Sequence, residues 1–151
     1  FEDYVAHRLR PKLDSYSYFR TGCTLKTQAA QYSLVENHND KPIFKLKPDL
    51  LILKDDETVC VMDTKWKLLD ASDHGNKYGI SQADMYQLYA YGHKYLKKSK
   101  PPKKLMLVYP KTDKFKKRLR VFKYEEGLEL DVVPFDLDEG VLIDERYPSG
   151  S

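Results

Sequence analysis

A chain of 151 residues, 32% charged and 41% hydrophobic, carries a formal net charge of +3, a balance of an ordinary soluble protein that excludes a disordered one. It is long enough to bury about 70% of its unfolded surface in one domain, and no run approaches the ~18 apolar residues of a membrane span. Cys23 and Cys60 are too few and too scattered for a zinc site or a disulfide framework.

In chain order, a first helix is expected over about 1–13, then a long strand over about 23–36 (CTLKTQAAQYSLVE). Two further β-rich runs, 44–53 (FKLKPDLLIL) and 58–66 (TVCVMDTKW), flank the turn-rich Asp55-Asp56-Glu57 and read as a hairpin. Within the second run Val59, Cys60, Val61 and Met62 leave no polar face, the mark of a strand covered on both sides. Cys60 there reads as a small buried hydrophobe in a reducing cytoplasm. Leu68 to Gly79 is polar and reads as a mobile segment resting against a substrate.

Residues 81–96 read as a helix, with Ser81 as N-cap and Asp84 in capping-box position. Helical periodicity gathers Met85, Leu88, Tyr89, Gly92 and Leu96 into an apolar stripe. Asp84, Gln87, Tyr91 and Lys94 fall opposite, either as a solvated face or, for Gln87 and Tyr91, as a turn reaching a functional strand. A strand at 104–109 follows, then a pair at about 118–124 and 128–133 turning at Glu125-Glu126-Gly127. The order αβββαβ with trailing strands predicts an α/β fold with a mixed central β-sheet flanked by helices. The four histidines (His7, His38, His74, His93) show no ligand spacing.

The hairpin carries the chemistry. A three-residue loop at 55–57 pairs Lys54 with Thr58, Leu53 with Val59, Leu51 with Val61 and Asp49 with Asp63. Direct cross-strand partners share a face with β-carbons about 5 Å apart. Asp63 and Lys65, two residues apart, also share a face, with roughly 6–7 Å between α-carbons. A loop one residue shorter or longer would send the two aspartates to opposite faces. Two carboxylates so placed repel, and a hydrated Mg2+ or Mn2+ relieves that repulsion through hard oxygen ligands. With an ammonium alongside, the set suits phosphodiester hydrolysis, which needs a cation on the phosphoryl oxygens and an activated water. The plainer alternative is a hairpin with two exposed aspartates and a salt-bridged lysine.

Lys47-Pro48-Asp49, Asp63-Thr64-Lys65 and Gln87-Leu88-Tyr89-Ala90-Tyr91 resemble the PD-(D/E)xK nuclease superfamily, including the Q-x-x-x-Y of its RecB-like branch. With Phe1-Glu2-Asp3-Tyr4-Val5, Trp66-Lys67 and Asp84-Met85-Tyr86, in that order from residue 1 to about Pro110, the chain is similar to the McrC nuclease domains of McrBC restriction systems, which attack DNA carrying modified cytosine. The resemblance implies a restriction-endonuclease-like fold and a Mg2+-dependent endodeoxyribonuclease. It implies Asp49 and Asp63 as metal ligands, the Thr64 carbonyl as a further ligand and Glu2 as an outer one. Lys65 would orient or deprotonate the attacking water, and Gln87 and Tyr91 would position the scissile strand. Asp63 stands where many members of the superfamily carry Glu. The partner implied is a GTP-driven, McrB-like AAA+ motor, since this chain has no Gly-rich phosphate loop of its own.

Charge is unevenly spread. Twelve Lys or Arg and one acid, Asp113, lie between Lys94 and Arg120, whereas nine acids and two basic residues follow from Val121 onward. The basic stretch reads either as solvated loops or as a sequence-independent phosphate track. The acidic tail would be a cap or a docking surface. No base-reading motif is present, so DNA contact is expected mainly through phosphates. The whole reads as a single nuclease domain over 1–151, with core motifs in 1–110 and trailing strands and acidic tail in 111–151. It is expected to be the C-terminal part of a longer chain, since it does not begin with Met. The competing readings are a catalytically idle nucleic-acid-binding or scaffold module of the same fold, and a protein-interaction domain whose basic block binds an acidic partner.

Overall fold

Alternation of apolar residues builds the centre of the molecule. In the computed structural model, which describes residues 1–144, the strand Glu57–Thr64 (β5) lies inside a mixed sheet between Leu50–Lys54 (β4) and Lys103–Pro110 (β6). Leu51, Val61, Leu105 and Leu107 face one side, against helix α2 (Gln82–Tyr95). Leu50, Ile52, Cys60, Met62, Met106 and Val108 face the other, against helix α1 (Glu2–Leu9). A strand places successive side chains on opposite faces, so one run of apolar residues supplies two cores. The expected burial of β5 from both sides holds.

The sheet runs β1 (Thr24–Thr27), β4, β5, β6, β8 (Leu128–Asp136), β7 (Phe122–Lys123), with β9 (Val141–Leu142) also on β8. The β5–β6 and β6–β8 pairs are parallel and the β1–β4 and β4–β5 pairs antiparallel. Helix α2 is the crossover that parallel β5 and β6 require. It starts where expected: the Ser81 side chain accepts from the amides of Ala83 (3.1 Å) and Asp84 (3.4 Å).

Several expectations are corrected. The long strand expected over 23–36 is two strands, β1 and β2 (Tyr32–His38), broken around Gln28 at φ +55°. Among the described residues β2 pairs only with β3 (Lys41–Leu46), in a two-stranded ribbon apart from the main sheet. The run 44–53 likewise divides, because Pro48 has no N–H to give a ladder; β3 ends at Leu46 and β4 begins at Leu50. The first helix ends at Leu9, and the chain tightens over Arg10–Ser15 into a 3-10 turn that contains Pro11. The segment 68–79, expected to be mobile, makes defined contacts at its start. Leu69 is buried, the Asp70 amide donates to the Tyr78 carbonyl (3.1 Å) and the Ala71 amide to that of Lys114 (2.8 Å).

The hairpin reaches the expected alignment by another route. Lys54 pairs with Glu57 and Leu53 with Thr58, not with Thr58 and Val59. The loop is therefore two residues, Asp55 and Asp56, both at positive φ (52° and 64°), as a type I′ turn demands. Alone this would have flipped the register, but a bulge between Ile52 and Leu53 restores Ile52 to Cys60, Leu51 to Val61 and Leu50 to Met62. Just beyond the last of these pairs, the Asp49 amide donates to Asp63 Oδ1 at 3.1 Å.

The basic stretch is partly neutralised within the fold. Lys94 pairs with Glu36 (3.1 Å), and Lys111 with Asp136 (3.4 Å). Lys104 lies 2.8 Å from Glu129. Fully buried Asp131 accepts from Tyr18 Oη at 2.7 Å and faces Lys104 and buried Arg118 at 3.7 and 3.8 Å. The end of the acidic tail, 145–151, lies outside the described residues. Among the described residues no helix is long and apolar enough to cross a membrane.

Candidate functional site

At the end of β5 the apolar alternation gives way to charge. Asp63 and Lys65 continue the side of the sheet that Val61 occupies, and Asp49 continues the side of Leu51. They open, with Glu2, Thr64, Gln87 and Tyr91, into one cleft of about 310 Å3. Every residue proposed for the site from the sequence lines that cleft.

Hydrogen bonds fix each member. Asp49 Oδ2 accepts from the Thr64 amide (2.8 Å) and hydroxyl (2.9 Å), and the Asp49 amide donates to Asp63 Oδ1 (3.1 Å). Lys65 Nζ lies 2.9 Å from Asp63 Oδ2, 3.0 Å from Gln87 Oε1 and 3.5 Å from Asp84 Oδ1. Tyr91 Oη donates to the Lys47 carbonyl at 3.3 Å. Thr64 thus acts here through its amide and hydroxyl, as the group that orients Asp49.

Gln87 reaches Lys65 just beyond β5, and Tyr91 reaches the Lys47 carbonyl in the link before β4. Tyr91 is buried rather than part of a wet face, whereas Tyr89, counted in the apolar stripe, is partly exposed. Asp84, read as a capping-box residue, has its carboxylate on Lys65 instead. Its signal was the spacing Asp84, Gln87, Tyr91, which at 3.6 residues per turn makes one face. Lys47 and Trp66, which the sequence motifs include without a role, also line the cleft.

The electrostatics follow from crowding. Burial, then the charge of Asp49, pushes the Asp63 carboxyl up to about 7, although Lys65 opposes this. Burial and Asp49 likewise raise Glu2, whose carboxyl shares a hydrogen bond with Asp49. Burial alone would lower Lys65, but the hydrogen bond to Asp63 and the charges of Asp63, Asp84 and Asp49 outweigh it and hold the ammonium above the usual lysine range. Burial, then Asp63 and Asp49, keeps the Tyr91 hydroxyl protonated.

These donors fit a hard divalent cation. Burial and the nearby Asp49 charge disfavour the ionised form of Glu2, a crowding of carboxylates that a cation relieves. Among the described residues no three Asp, Glu, His or Cys side chains form a ready-made cage. The set is a pair of oriented aspartates with Glu2 alongside, and Mg2+ is commonly held by one or two carboxylates plus water and phosphate oxygens.

A family model described as the McrBC 5-methylcytosine restriction system component matches residues 1–110. The chain belongs to the McrBC family. All the site residues, from Glu2 to Tyr91, fall within the span that the McrBC model matches. No curated protein matches the chain. Among solved structures, one similar chain comes from the refined half-complex of the tetradecameric assembly of Thermococcus gammatolerans McrB AAA+ hexamers with bound McrC. The TM-score is 0.62 at 19% identity, covering 93% of this chain and 28% of that one. At that identity the likeness is one of fold, and this chain spans 28% of its length.

Proposed function

We propose that this chain is the nuclease domain of a modification-dependent restriction complex, a metal-dependent endodeoxyribonuclease of PD-(D/E)xK fold. The observation that carries this reading is the meeting of Asp49, Asp63 and Lys65 in one cleft, with Lys65 Nζ 2.9 Å from Asp63. Asp49 and Asp63 would hold Mg2+ or Mn2+, with the Thr64 carbonyl and Glu2 as further ligands. When bound, such a cation neutralises phosphoryl oxygens and lowers the pKa of a coordinated water.

The chain's own residues do the rest. Thr64 fixes the direction of Asp49 through two hydrogen bonds. Lys65 presents a positive charge braced by Asp63, Gln87 and Asp84, so it stabilises charge developing on the phosphoryl group without having to reorient. That geometry favours an electrostatic part for Lys65 over that of a base. Gln87 and Tyr91, one turn apart on α2, form the wall against which the scissile strand lies.

DNA would be held mainly through its phosphates. A McrB-like motor is the partner this reading requires, supported by family membership and by the McrB–McrC assembly in which the similar fold occurs.

Plasmid cleavage by the full-length protein with its motor partner tests the proposal. In Mg2+ the wild type should cut, and Lys65→Ala should cut about 100-fold more slowly or worse while binding DNA as before. Cutting by Lys65→Ala at the wild-type rate would remove the role of Lys65. DNA binding by the wild type without any metal-dependent cutting would leave the idle-module reading.

A further inference from the structure

Trp66 comes directly after Lys65, just past the end of β5. The residue is 71% exposed and lines the same cleft as Asp49 and Asp63. Tryptophan is highly buried on average, so an indole left in water beside a cleft forfeits much apolar burial. The ring is nonetheless held in place. Phe1 packs against it, tilted at 59° with centroids 5.3 Å apart, and Phe1 meets Phe135 edge-on at 6.2 Å. Phe135 is fully buried, so the aromatic series is anchored in the α1-side core and ends in an open indole.

The surroundings select what that indole can hold. Lys47 and Lys65 line the same cleft, and Lys67 is exposed one residue beyond. Cations that track a backbone next to an aromatic surface that stacks bases are the combination that binds single-stranded nucleic acid. In an intact duplex both faces of each interior base are covered by neighbours, so an indole can stack only on a base that has left the stack.

We propose that Trp66 is a stacking platform for one nucleobase beside the scissile phosphate, so that the cleft accepts a DNA strand whose bases are locally unstacked. This rests on the nuclease reading above and adds the form of the substrate. Trp66 lines the same cleft as the aspartate pair, so a strand with a phosphate at that pair can carry an adjacent base to the indole.

The test uses the full-length protein with its motor partner, Ca2+ replacing Mg2+, and a labelled oligodeoxynucleotide offered single-stranded or as its duplex. Anisotropy should show tighter binding of the single strand. Trp66→Ala should weaken that binding about tenfold and leave duplex affinity unchanged, and Trp66→Phe should restore most of it. The tryptophan emission lost between wild type and Trp66→Phe isolates this ring, and the single strand should quench it while the duplex does not. Undiminished single-strand binding by Trp66→Ala, or an unquenched Trp66 emission, overturns the platform and leaves the nuclease reading standing. Failure of the wild type to bind DNA in either form overturns both. The ring is exposed, so the alanine variant should keep the wild-type thermal melt.

Discussion

Asp63 is a carboxylate placed where its charge is costly. Burial first, and then Asp49, lifts it to about 7 from an ordinary value of 3.8. The folded protein therefore keeps a proton that the unfolded chain releases. The stabilisation this gives is fully present below about pH 4 and is lost as pH rises toward 7. Glu2 is raised too and acts in the same direction, whereas Asp136, lowered mainly by the Glu139 amide, acts in the opposite one. The clean measure is therefore the difference between wild type and Asp63→Asn, which cannot ionise at this position. In metal-free buffer the melting temperature of the wild type, relative to Asp63→Asn, should fall between about pH 4 and pH 7 and then level off. A difference that does not change with pH would show that Asp63 is not the strained group.

Helix α2 serves the site on one turn and the β2–β3 ribbon on the next. Tyr95 Oη donates to the buried Leu46 carbonyl at 2.7 Å and accepts from the Gln31 amide at 3.1 Å, which ties the root of the ribbon next to the strand that leads to Asp49. Tyr95→Phe would strand both backbone groups, a cost of about 1–3 kcal/mol. Denaturant unfolding should register that loss, and amide exchange should accelerate over 31–46 while β5 and β6 stay protected. Uniform exchange across the protein would argue that the ribbon is not held by this tyrosine. These tyrosines also mark how far sequence could be read. Alternation alone put Asp49, Asp63 and Lys65 on one side, because parity survives any local error that cancels. A three-residue loop and a two-residue loop plus a bulge have the same parity, so the facing aspartates were legible while the turn and the pairs nearest it were not. Tyr91 defeats a count of apolar letters, since its ring packs in the core and its hydroxyl finds the Lys47 carbonyl. That Tyr32–Leu46 leaves the sheet as a ribbon depends on long-range packing against Tyr95, which no local pattern encodes.

The twelve basic residues between Lys94 and Arg120 look alike as letters, yet Lys104 and Arg118 are drawn inward by Asp131 and others meet acids across the fold. The site itself is assembled the same way, from distant parts: Glu2 at the start of α1, Asp49 before β4, and Asp63 near the end of β5. The two hydrophobic clusters lie on opposite sides of the sheet whose end carries these acids. A cation bound there links three segments that are far apart in the unfolded chain, so it binds the folded form alone and must stabilise it by mass action. At a concentration 100 times its Kd that amounts to about 2.7 kcal/mol, or roughly 5–10 °C in the melting temperature of a chain this size. Calorimetry across a Mg2+ or Mn2+ titration should show this rise, and Asp49→Ala should abolish it while melting as a cooperative unit. An equal rise in Asp49→Ala would place the cation elsewhere. No rise in the wild type would mean that protons and Lys65 already satisfy these carboxylates, which is the condition of a fold without its chemistry.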